Sequence, residues 1–220
     1  MSKYNDFDKR MKDYETVSKT RLTKRMPVVI RVDGRAFHTF TKGFNKPYDE
    51  LLCSCMQETM KYLCENIQGC VLGYTQSDEI TLILVDYDNI DKSAWFDYEV
   101  QKICSVVSSM STMKFNKLFE RKVTEFISNK PDEITQDEYV NLCSRYDNAI
   151  NMRAMFDTRC FNVPENDICN AIIWRQRDAE KNSISSLGQA YFTQNFDRKI
   201  PPFKVGYECQ NCLQVTRFVL

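Results

Sequence analysis

The chain has 220 residues, which exceeds the usual size of one domain but stays within the range of a single α/β core. Its 30 Lys and Arg residues balance 30 Asp and Glu residues, which excludes a global electrostatic attraction to nucleic acid or membranes. The apolar runs are too short for a membrane span, and the opening MSKYNDFDKRMKDYE does not resemble a signal peptide. We therefore expect a cytosolic protein made of one domain with appendages.

Ten cysteines are present, and most lie in apolar, periodic segments where a thiol acts as a small hydrophobic side chain. Reduced cysteines are therefore expected. Cys209 and Cys212 have the C-x-x-C spacing of a metal site, but a structural zinc needs four ligands. Because the chain has one histidine and no second C-x-x-C pair, metal binding there is the less favoured interpretation.

The first part of the chain predicts a charged helix, a strand and an amphipathic helix. Residues 1–25 are dense in charge and are interpreted as a solvated N-terminal helix and connector. Residues 28–32 form a short apolar strand that ends in Asp33 and Gly34. Over residues 49–67 apolar side chains recur every three or four positions, which predicts a helix with one buried face.

Two strand-like runs, residues 71–74 and 80–86, flank the sequence TQSDE. This spacing predicts a β-hairpin with Asp78 and Glu79 at or just after its tip. From about residue 93 to residue 119 apolar side chains again step by three and four, which predicts a second long helix.

The last part of the chain predicts one more strand and one more long helix. Residues 129–149 have strong charge and few apolar residues, so we interpret them as a peripheral, partly helical excursion. The run MFDTRCFNVP predicts a strand closed by Pro164, and a helix follows to about residue 194. The tail, residues 195–220, ends in the strand-like run VTRFVL. This order predicts an α+β fold with helices packed on one face of an antiparallel sheet.

Two acids are predicted at strand ends. Asp33 closes the first strand and Asp78 lies at the hairpin, so their carboxylates meet at one edge of the sheet if the strands are neighbours. Mg²⁺ prefers oxygen ligands, usually one or two carboxylates with water and phosphate oxygens, and two such ions support nucleotidyl transfer. Gly34 has no Cβ to obstruct phosphates, and the amides of residues 35–38 are placed to cradle a triphosphate.

Each of these features also has an ordinary explanation. An Asp-Gly pair after a strand is most often only a turn, and acids beside a hairpin are usually solvated. Two acids, an adjacent glycine and the basic stretch 42–46 occur together here. Their combination makes a phosphate-binding site about as well supported as an ordinary turn with solvated acids. For His38 we favour packing or a hydrogen bond over general-base catalysis.

Other candidates have similar alternatives. Lys46 and Lys102 are candidate phosphate ligands, although solvation is the default for lysine. For three phenylalanines spaced three and four apart, core packing is favoured over base stacking; they are Phe37, Phe40 and Phe44. Two basic clusters can contact RNA phosphates, although such runs are more often solvated. They are Lys114, Lys117, Arg121 and Lys122 on one helix, and Arg175, Arg177 and Lys181 on another.

Four segments in this order resemble the tRNA(His) guanylyltransferase superfamily, the reverse polymerases that extend RNA in the 3′ to 5′ direction. The segments are RVDGRAFHTFTKGFNKPYD, GYTQSDEITLIL, FDTRCFNVP and WRQRDAEKNSISSLGQAYF. The resemblance covers about residues 6–194 and implies a polymerase-palm-like catalytic domain over residues 26–194. It also implies two Mg²⁺ ions on Asp33, the Gly34 carbonyl and Asp78, with Glu79 as a further catalytic acid.

The resemblance further implies the nucleotide contacts and the chemistry. The implied nucleotide-binding residues are Asp33, Gly34, Arg35, Ala36, Phe37, His38, Lys46, Ser77, Asp78 and Lys102. The implied reaction activates a tRNA 5′-monophosphate with ATP, or uses an existing 5′-triphosphate, before the 3′-hydroxyl of GTP or another NTP attacks that end. Pyrophosphate leaves, and a homo-oligomer, commonly a tetramer, is implied.

One position indicates the branch of the family. Eukaryotic guanylyltransferases carry a histidine-led H-I-N-N-L-Y-N motif after R-Q-x-D-x, whereas Glu180 occupies the position of that histidine here. This implies the guanylyltransferase-like branch, which adds nucleotides opposite a template and repairs 5′-truncated tRNA. The alternatives are addition of a single G to tRNA(His), a small-nucleotide cyclase or synthase, and a non-catalytic tRNA-binding protein.

Overall fold

The computed structural model describes residues 3–132 and 134–196. The predicted tail strand and the pair Cys209 and Cys212 lie outside the described residues. The elements follow one another as α1 Lys3–Thr16, β1 Val28–Gly34, α2 Phe37–Phe40, α3 Glu50–Asn66, β2 Cys70–Gln76, β3 Glu79–Leu84, α4 Val100–Ser128, α5 Gln136–Met152, β4 Phe156–Asn162 and α6 Ile168–Phe196. In the described part of the chain no helix has both the length and the hydropathy of a membrane span.

The four strands found among the described residues form one antiparallel sheet in the order β2-β3-β1-β4. Strand β1 is therefore flanked on both sides, and its end brings three segments of the chain together. Asp33 pairs with Glu79 of β3 on one side and with Asp157 of β4 on the other. The predicted hairpin is present, with Ser77 and Asp78 as its two-residue tip between Gln76 and Glu79.

One face of the sheet forms the hydrophobic core. Side chains alternate along a strand, so every second residue of β1 and β3 points to the same face. These residues pack with α3 and α4 in a single buried cluster. They are Val28, Ile30, Val32, Ile80, Leu82 and Leu84, and each is fully buried, with an exposure of 0%. The predicted α+β class with an antiparallel sheet is confirmed, but the prediction that the helices pack on one face only is wrong, because α6 contacts the other face.

Aromatic rings fill the core below the end of β1. Phe37, Phe40 and Phe44 are 4%, 4% and 5% exposed, and their rings contact Phe115 and Phe119 of α4. The centroid distances of these four contacts lie between 5.2 Å and 5.9 Å, which is typical of packed aromatic pairs. The preference for core packing over base stacking is therefore confirmed for all three phenylalanines.

The second long helix begins later than its periodicity predicts. Phe96 and Asp97 have positive φ angles of 51° and 55° within a short 3₁₀ turn, and α4 starts only at Val100. The carbonyl of Tyr98 accepts a hydrogen bond from the amide of Leu22 at 3.0 Å, and the amide of Val100 donates to Thr20 at 2.9 Å. The connector before β1 therefore holds this turn, a long-range cause that local periodicity does not reveal.

The prediction that residues 129–149 are partly helical is confirmed, but the interpretation of this segment as peripheral is wrong. Residues 136–152 form helix α5, which begins with a capping box between Thr135 and Glu138. Tyr146 is 2% exposed, and its hydroxyl donates a hydrogen bond to Asp49 Oδ2 at 2.8 Å. Asp49 is also the N-cap of α3 and accepts a hydrogen bond from the amide of Leu52. Helix α5 is thus an integral part of the core.

The opposite face of the sheet also receives a helix. Arg31 and Glu79 alternate with core residues, so they point away from α3 and α4. The Arg31 guanidinium lies 5.8 Å from the ring centroid of Trp174, and Glu79 contacts Arg175. Both partners belong to α6, which therefore lies against the second face near the end of β1.

Candidate active site

The structure brings Asp33 and Asp78 together at the end of β1. The amide of Gly34, the residue after Asp33, donates a hydrogen bond to the carbonyl oxygen of Asp78 at 3.1 Å. Ser77 has a positive φ of 48°, and its hydroxyl donates to Asp78 Oδ1 at 2.9 Å. The two acids are 45 positions apart in the chain, yet the β1–β3 pairing places them side by side, as neighbouring strands would require.

The charge state of this pair favours a cation. Burial raises the pKa of the Asp78 carboxyl, and the nearby charge of Asp33 raises it further, whereas the Ser77 hydrogen bond lowers it. Within residues 3–132 and 134–196, neither aspartate forms an ion pair with a lysine or an arginine. A divalent cation would offset the two adjacent negative charges, and two carboxylates with a backbone carbonyl form an all-oxygen donor set that suits Mg²⁺.

Asp33 is also the middle member of a row of three acids that crosses three strands. Asp157, Asp33 and Glu79 stand opposite one another on β4, β1 and β3. Arg159 Nη2 lies 3.4 Å from Asp157 Oδ1, and Arg175 Nε lies 2.7 Å from Glu79 Oε1. The outer two acids are thus paired with arginines, while the middle one is not paired in the described part of the chain. The described residues contain no cluster of three or more His, Cys, Asp or Glu side chains arranged to hold a metal.

Glu79, the third predicted catalytic acid, is engaged by α6. Arg175 Nη2 donates to Glu79 Oε2 at 3.2 Å and to Asp178 Oδ2 at 2.5 Å. Burial raises the pKa of the Glu79 carboxyl, while the Arg175 guanidinium acts in the opposite direction. The Trp174 ring lies 4.3 Å from the Arg175 guanidinium. The contacts of Glu79 are therefore those of a charge-paired residue beside the site.

The hypothesis that Arg175 contacts RNA phosphates is wrong, because its side chain is buried, with the whole residue only 5% exposed. A buried arginine requires a partner of opposite charge, and Glu79 and Asp178 supply it. The partner Asp178 lies three residues further along the same helix, a spacing that was visible in WRQRD. Glu79 is 96 residues away, and no pattern in the sequence around Arg175 predicts that contact.

Gly34 has a packing role that the sequence does not reveal. A Cβ atom at this position would lie 2.3 Å from Cδ2 of Phe37, well inside van der Waals contact. The ring of Phe37 therefore covers the Gly34 backbone from the core side. The assignment of the Phe37 side chain to nucleotide binding is wrong for the same reason, since the ring packs among Phe40, Phe115 and Phe156.

The remaining residues of the DGRAFH segment lie in the exposed turn after β1. The amide of Arg35 donates to the carbonyl of Met155 at 2.9 Å, and Ala36 adopts a left-handed φ of 55° before α2. The first amides of a helix have no acceptor within it, so Phe37 and His38 present N–H groups here. The His38 ring is exposed, and its Nε2 lies 3.1 Å from Thr39 Oγ1, which is the hydrogen-bonded alternative rather than core packing.

The two predicted phosphate lysines lie in different places. Lys46 is exposed on the loop between α2 and α3. Lys102 lies in the first turn of α4, where its Nζ is 4.8 Å from the Phe96 ring centroid. Thr112 of α4 accepts a hydrogen bond from the amide of Phe156, the partner of Gly34, so it marks the acid end of the sheet. At 1.5 Å per residue, Lys102 is about 15 Å from Thr112 along the helix axis. The structure does not bring Lys102 to the acid pair.

The first basic cluster is partly neutralised within the protein. Arg121 Nη2 and Lys122 Nζ lie 3.2 Å and 2.6 Å from the carboxylate of Glu58 on α3. Lys114 Nζ lies 4.9 Å from the Tyr62 ring centroid. In the second cluster, Arg177 and Lys181 are exposed on α6. These two are the basic residues of α6 that remain placed to meet a polyanion.

The fold and the acid pair define an α+β domain of the palm type, with adjacent aspartates at the end of its central strand. A profile of the tRNAHis guanylyltransferase family matches residues 8–164, and the chain belongs to this family of nucleotidyltransferases. The family resemblance read from the sequence is thereby confirmed.

Individual relatives agree with this membership. A bacterial tRNA(His) guanylyltransferase-like protein, solved in complex with ATP, is 40% identical, with a TM-score of 0.69 over 86% of this chain and 72% of that chain. The complex with GTP gives a TM-score of 0.70 at 40% identity, over 86% of this chain and 79% of that one. An uncharacterised protein of Acanthamoeba polyphaga mimivirus is 31% identical over 193 residues, which is 83% of this chain. The present chain spans 62% of the length of that viral protein and 54% of another curated relative.

Proposed function

We propose that the protein is a metal-dependent 3′ to 5′ nucleotidyltransferase that adds nucleotides to the 5′ end of tRNA. The observation that carries this proposal is the backbone hydrogen bond from Gly34 to Asp78, which brings the segments of Asp33 and Asp78 together at the end of β1. A divalent cation would offset the two adjacent carboxylates, and a cation held there would also bind a triphosphate. Membership of the tRNAHis guanylyltransferase family supports the choice of a tRNA end as the substrate.

The side chains present fit Mg²⁺. Asp33, Asp78 and the carbonyl of Gly34 would hold it, and two such ions would supply charge neutralisation at the triphosphate and activation of the attacking hydroxyl. The protein's own residues then hold the reacting groups. The amides of Phe37 and His38 in the turn after β1 would orient a phosphate chain there. Ser77 fixes the orientation of the Asp78 carboxylate through its 2.9 Å hydrogen bond.

ATP and GTP are the proposed nucleotides, because the bacterial protein that is 40% identical was solved with each of them. Template-dependent repair of 5′-truncated tRNA is the proposed role, since Glu180 replaces the histidine of the eukaryotic motif. Glu180 is exposed on α6, five residues beyond the buried Arg175. A homotetramer and a cytoplasmic location complete the proposal as predictions from the family.

A 5′-extension assay tests the proposal. The protein is incubated with Mg²⁺, all four NTPs and a tRNA that lacks its first nucleotide, and RNA length is measured. We expect the missing nucleotide to be added, and we expect Asp78→Asn to abolish the addition. Asp91→Asn is the matched control, because Asp91 is exposed in the loop after β3, at the opposite end of the sheet. No extension by the wild-type protein would refute the proposed function.

The same assay separates the alternatives. Addition of a single G to full-length tRNA(His), without extension of truncated tRNAs, would identify the G-adding activity that the family match equally supports. Products formed from NTPs alone would identify a cyclase or small-nucleotide synthase. An Asp78→Ala variant that behaves like the parent in every RNA assay would identify a non-catalytic tRNA-binding protein.

A further inference from the structure

The row of acids at the end of β1 raises the question of which carboxylates serve the proposed reaction. Glu79 directly follows Asp78 in the chain and stands opposite Asp33 in the sheet. Directly opposed like charges on neighbouring strands are unfavourable, so Glu79 either shares a cation with Asp33 or takes a partner of its own. The structure gives it a partner.

Arg175 contacts both oxygens of the Glu79 carboxylate: Nη2 donates a hydrogen bond to Oε2, whereas the close approach of Nε to Oε1 lacks hydrogen-bond geometry. Its Nε and Nη2 lie 2.7 Å and 3.2 Å from Oε1 and Oε2, and the side chain of Glu79 is 14% exposed while that of Arg175 is 6% exposed. Asp178 contacts Nη2 from the same helix, and the Trp174 ring stacks on the guanidinium. A planar guanidinium that is fixed on two sides in this way has little freedom to release its carboxylate.

We propose that Arg175 is a positioning residue that withholds the Glu79 carboxylate from the cation site and so leaves Asp33 and Asp78 as the acids that hold the cation. The inference rests on the proposed function, because it concerns the same site. Arg175 touches neither the cation nor the substrate and acts through Glu79 alone. The cation thereby keeps open positions for phosphate oxygens, which a third carboxylate would fill.

Binding of Mn²⁺ to the protein, measured from the electron paramagnetic resonance signal of the free ion, tests the proposal without nucleotide or RNA. In Arg175→Met the Glu79 carboxylate is released toward Asp33, and we expect Mn²⁺ to bind about tenfold more tightly, because affinity follows the number of charged ligands. Nucleotide addition by the same variant is expected to fall. The double variant Arg175→Met with Glu79→Gln is expected to return Mn²⁺ affinity to the wild-type value.

Two further variants keep the test decisive if Arg175→Met folds poorly. Glu79→Gln alone is expected to leave Mn²⁺ affinity within about twofold of wild type, whereas Asp78→Asn lowers it strongly. Arg177→Met is the matched control, since Arg177 is an exposed arginine two positions along α6, and Mn²⁺ affinity should not change. The proposal is overturned if Arg175→Met weakens Mn²⁺ binding or leaves it unchanged, or if Glu79→Gln weakens it as much as Asp78→Asn.

The outcomes for the site and for the proposed function differ. If Mn²⁺ binding follows the expected pattern but the wild-type protein extends no tRNA, the positioning role of Arg175 is supported and the proposed function is refuted. If the wild-type protein extends tRNA but Arg175→Met binds Mn²⁺ with unchanged affinity, the proposed function is supported and the positioning role is refuted. A wild-type protein that binds no Mn²⁺ overturns the positioning role outright.

Discussion

Gly34 and Asp78 are joined through their backbones, by an N–H to carbonyl hydrogen bond of 3.1 Å. The link that holds the end of β1 against the hairpin tip therefore does not depend on the carboxylate of either acid. An aspartate-to-asparagine change at position 33 or 78 leaves this hydrogen bond in place. Loss of activity in such a variant would report on the chemistry of the carboxylate rather than on the assembly of the site.

Gly34→Ala is expected to destabilise the protein. The new Cβ would meet the Phe37 ring at 2.3 Å, and overpacking of this kind costs about 1–3 kcal/mol in the free energy of unfolding. Urea unfolding measures the change. Ala36→Gly, two residues away, is the matched control with the opposite sign, because it relieves a left-handed residue and should raise stability by up to about 1 kcal/mol. Equal stability of Gly34→Ala and the wild type would contradict the close approach of the ring.

Tyr146→Phe is expected to lower the free energy of unfolding by about 1.5–3 kcal/mol, because it removes a buried hydrogen bond to a carboxylate. The lost bond joins the Tyr146 hydroxyl to Asp49, which is 4% exposed and caps α3. Thermal or urea unfolding measures the loss. Tyr48→Phe makes the same chemical change at a residue that is 54% exposed and should have little effect. A similar loss in both variants would contradict a special role for the Tyr146 contact.

Cys55 is expected to resist alkylation in the folded protein. Burial raises the pKa of its thiol from 9.0 to about 12, so at pH 8 the reactive thiolate is about a thousandfold rarer than in an unperturbed thiol. Iodoacetamide labelling followed by peptide mass spectrometry measures the rate. Cys169, which is exposed near the start of α6, is the internal control and should react much faster. Comparable rates at the two positions would be incompatible with the buried thiol.

The same thiol makes stability depend on alkaline pH. An acid whose folded-state pKa is raised keeps its proton longer when folded, so the unfolded chain binds fewer protons above pH 9. The contribution of Cys55 to the free energy of unfolding is therefore fully present below about pH 9. It falls by about 1.4 kcal/mol per pH unit as the pH rises toward 12. Unfolding of wild type and Cys55→Ala at several pH values measures this difference. Parallel curves for the two proteins would contradict it.

Arg177 and Lys181 are expected to contribute to RNA affinity without sequence preference, since both are exposed on α6. Removal of one phosphate contact should weaken tRNA binding and reduce the salt dependence of log K by about one unit per contact. Filter binding at several salt concentrations measures the slope for Arg177→Ala and Lys181→Ala. Arg121→Ala is the comparison, because Arg121 already pairs with Glu58 and should change the slope less. A larger slope change for Arg121→Ala would reverse this assignment.

The hairpin and the helix periods could be predicted from the sequence because their causes are local. Alternating apolar residues and the two-residue tip around Ser77 and Asp78 are read within ten positions. The buried helix over residues 49–67 follows from spacing in the same way, and it is observed as α3, Glu50–Asn66. Predicting that Asp33 lies near Asp78 required one further assumption, namely that β1 and β3 are neighbouring strands, which the structure shows.

Features with long-range causes were missed. Helix α5 becomes part of the core through Tyr146 and Asp49, which are 97 residues apart, although the capping box at Thr135 and Glu138 was a local signal for its start. Burial of Arg175 depends on Glu79, and the delayed start of α4 depends on the connector at Leu22. Charge and periodicity describe one segment at a time, so they cannot identify such partners.

The strand order β2-β3-β1-β4 has a consequence for the order of assembly during synthesis. Strands β1 and β3 both lie before residue 85, so the segments that carry Asp33 and Asp78 are synthesised well before β4, Phe156–Asn162. Until Phe156 emerges, the far side of β1 is an unpaired edge with free amide and carbonyl groups. Strand β4 therefore closes a surface on which a nascent chain could pair with its neighbours.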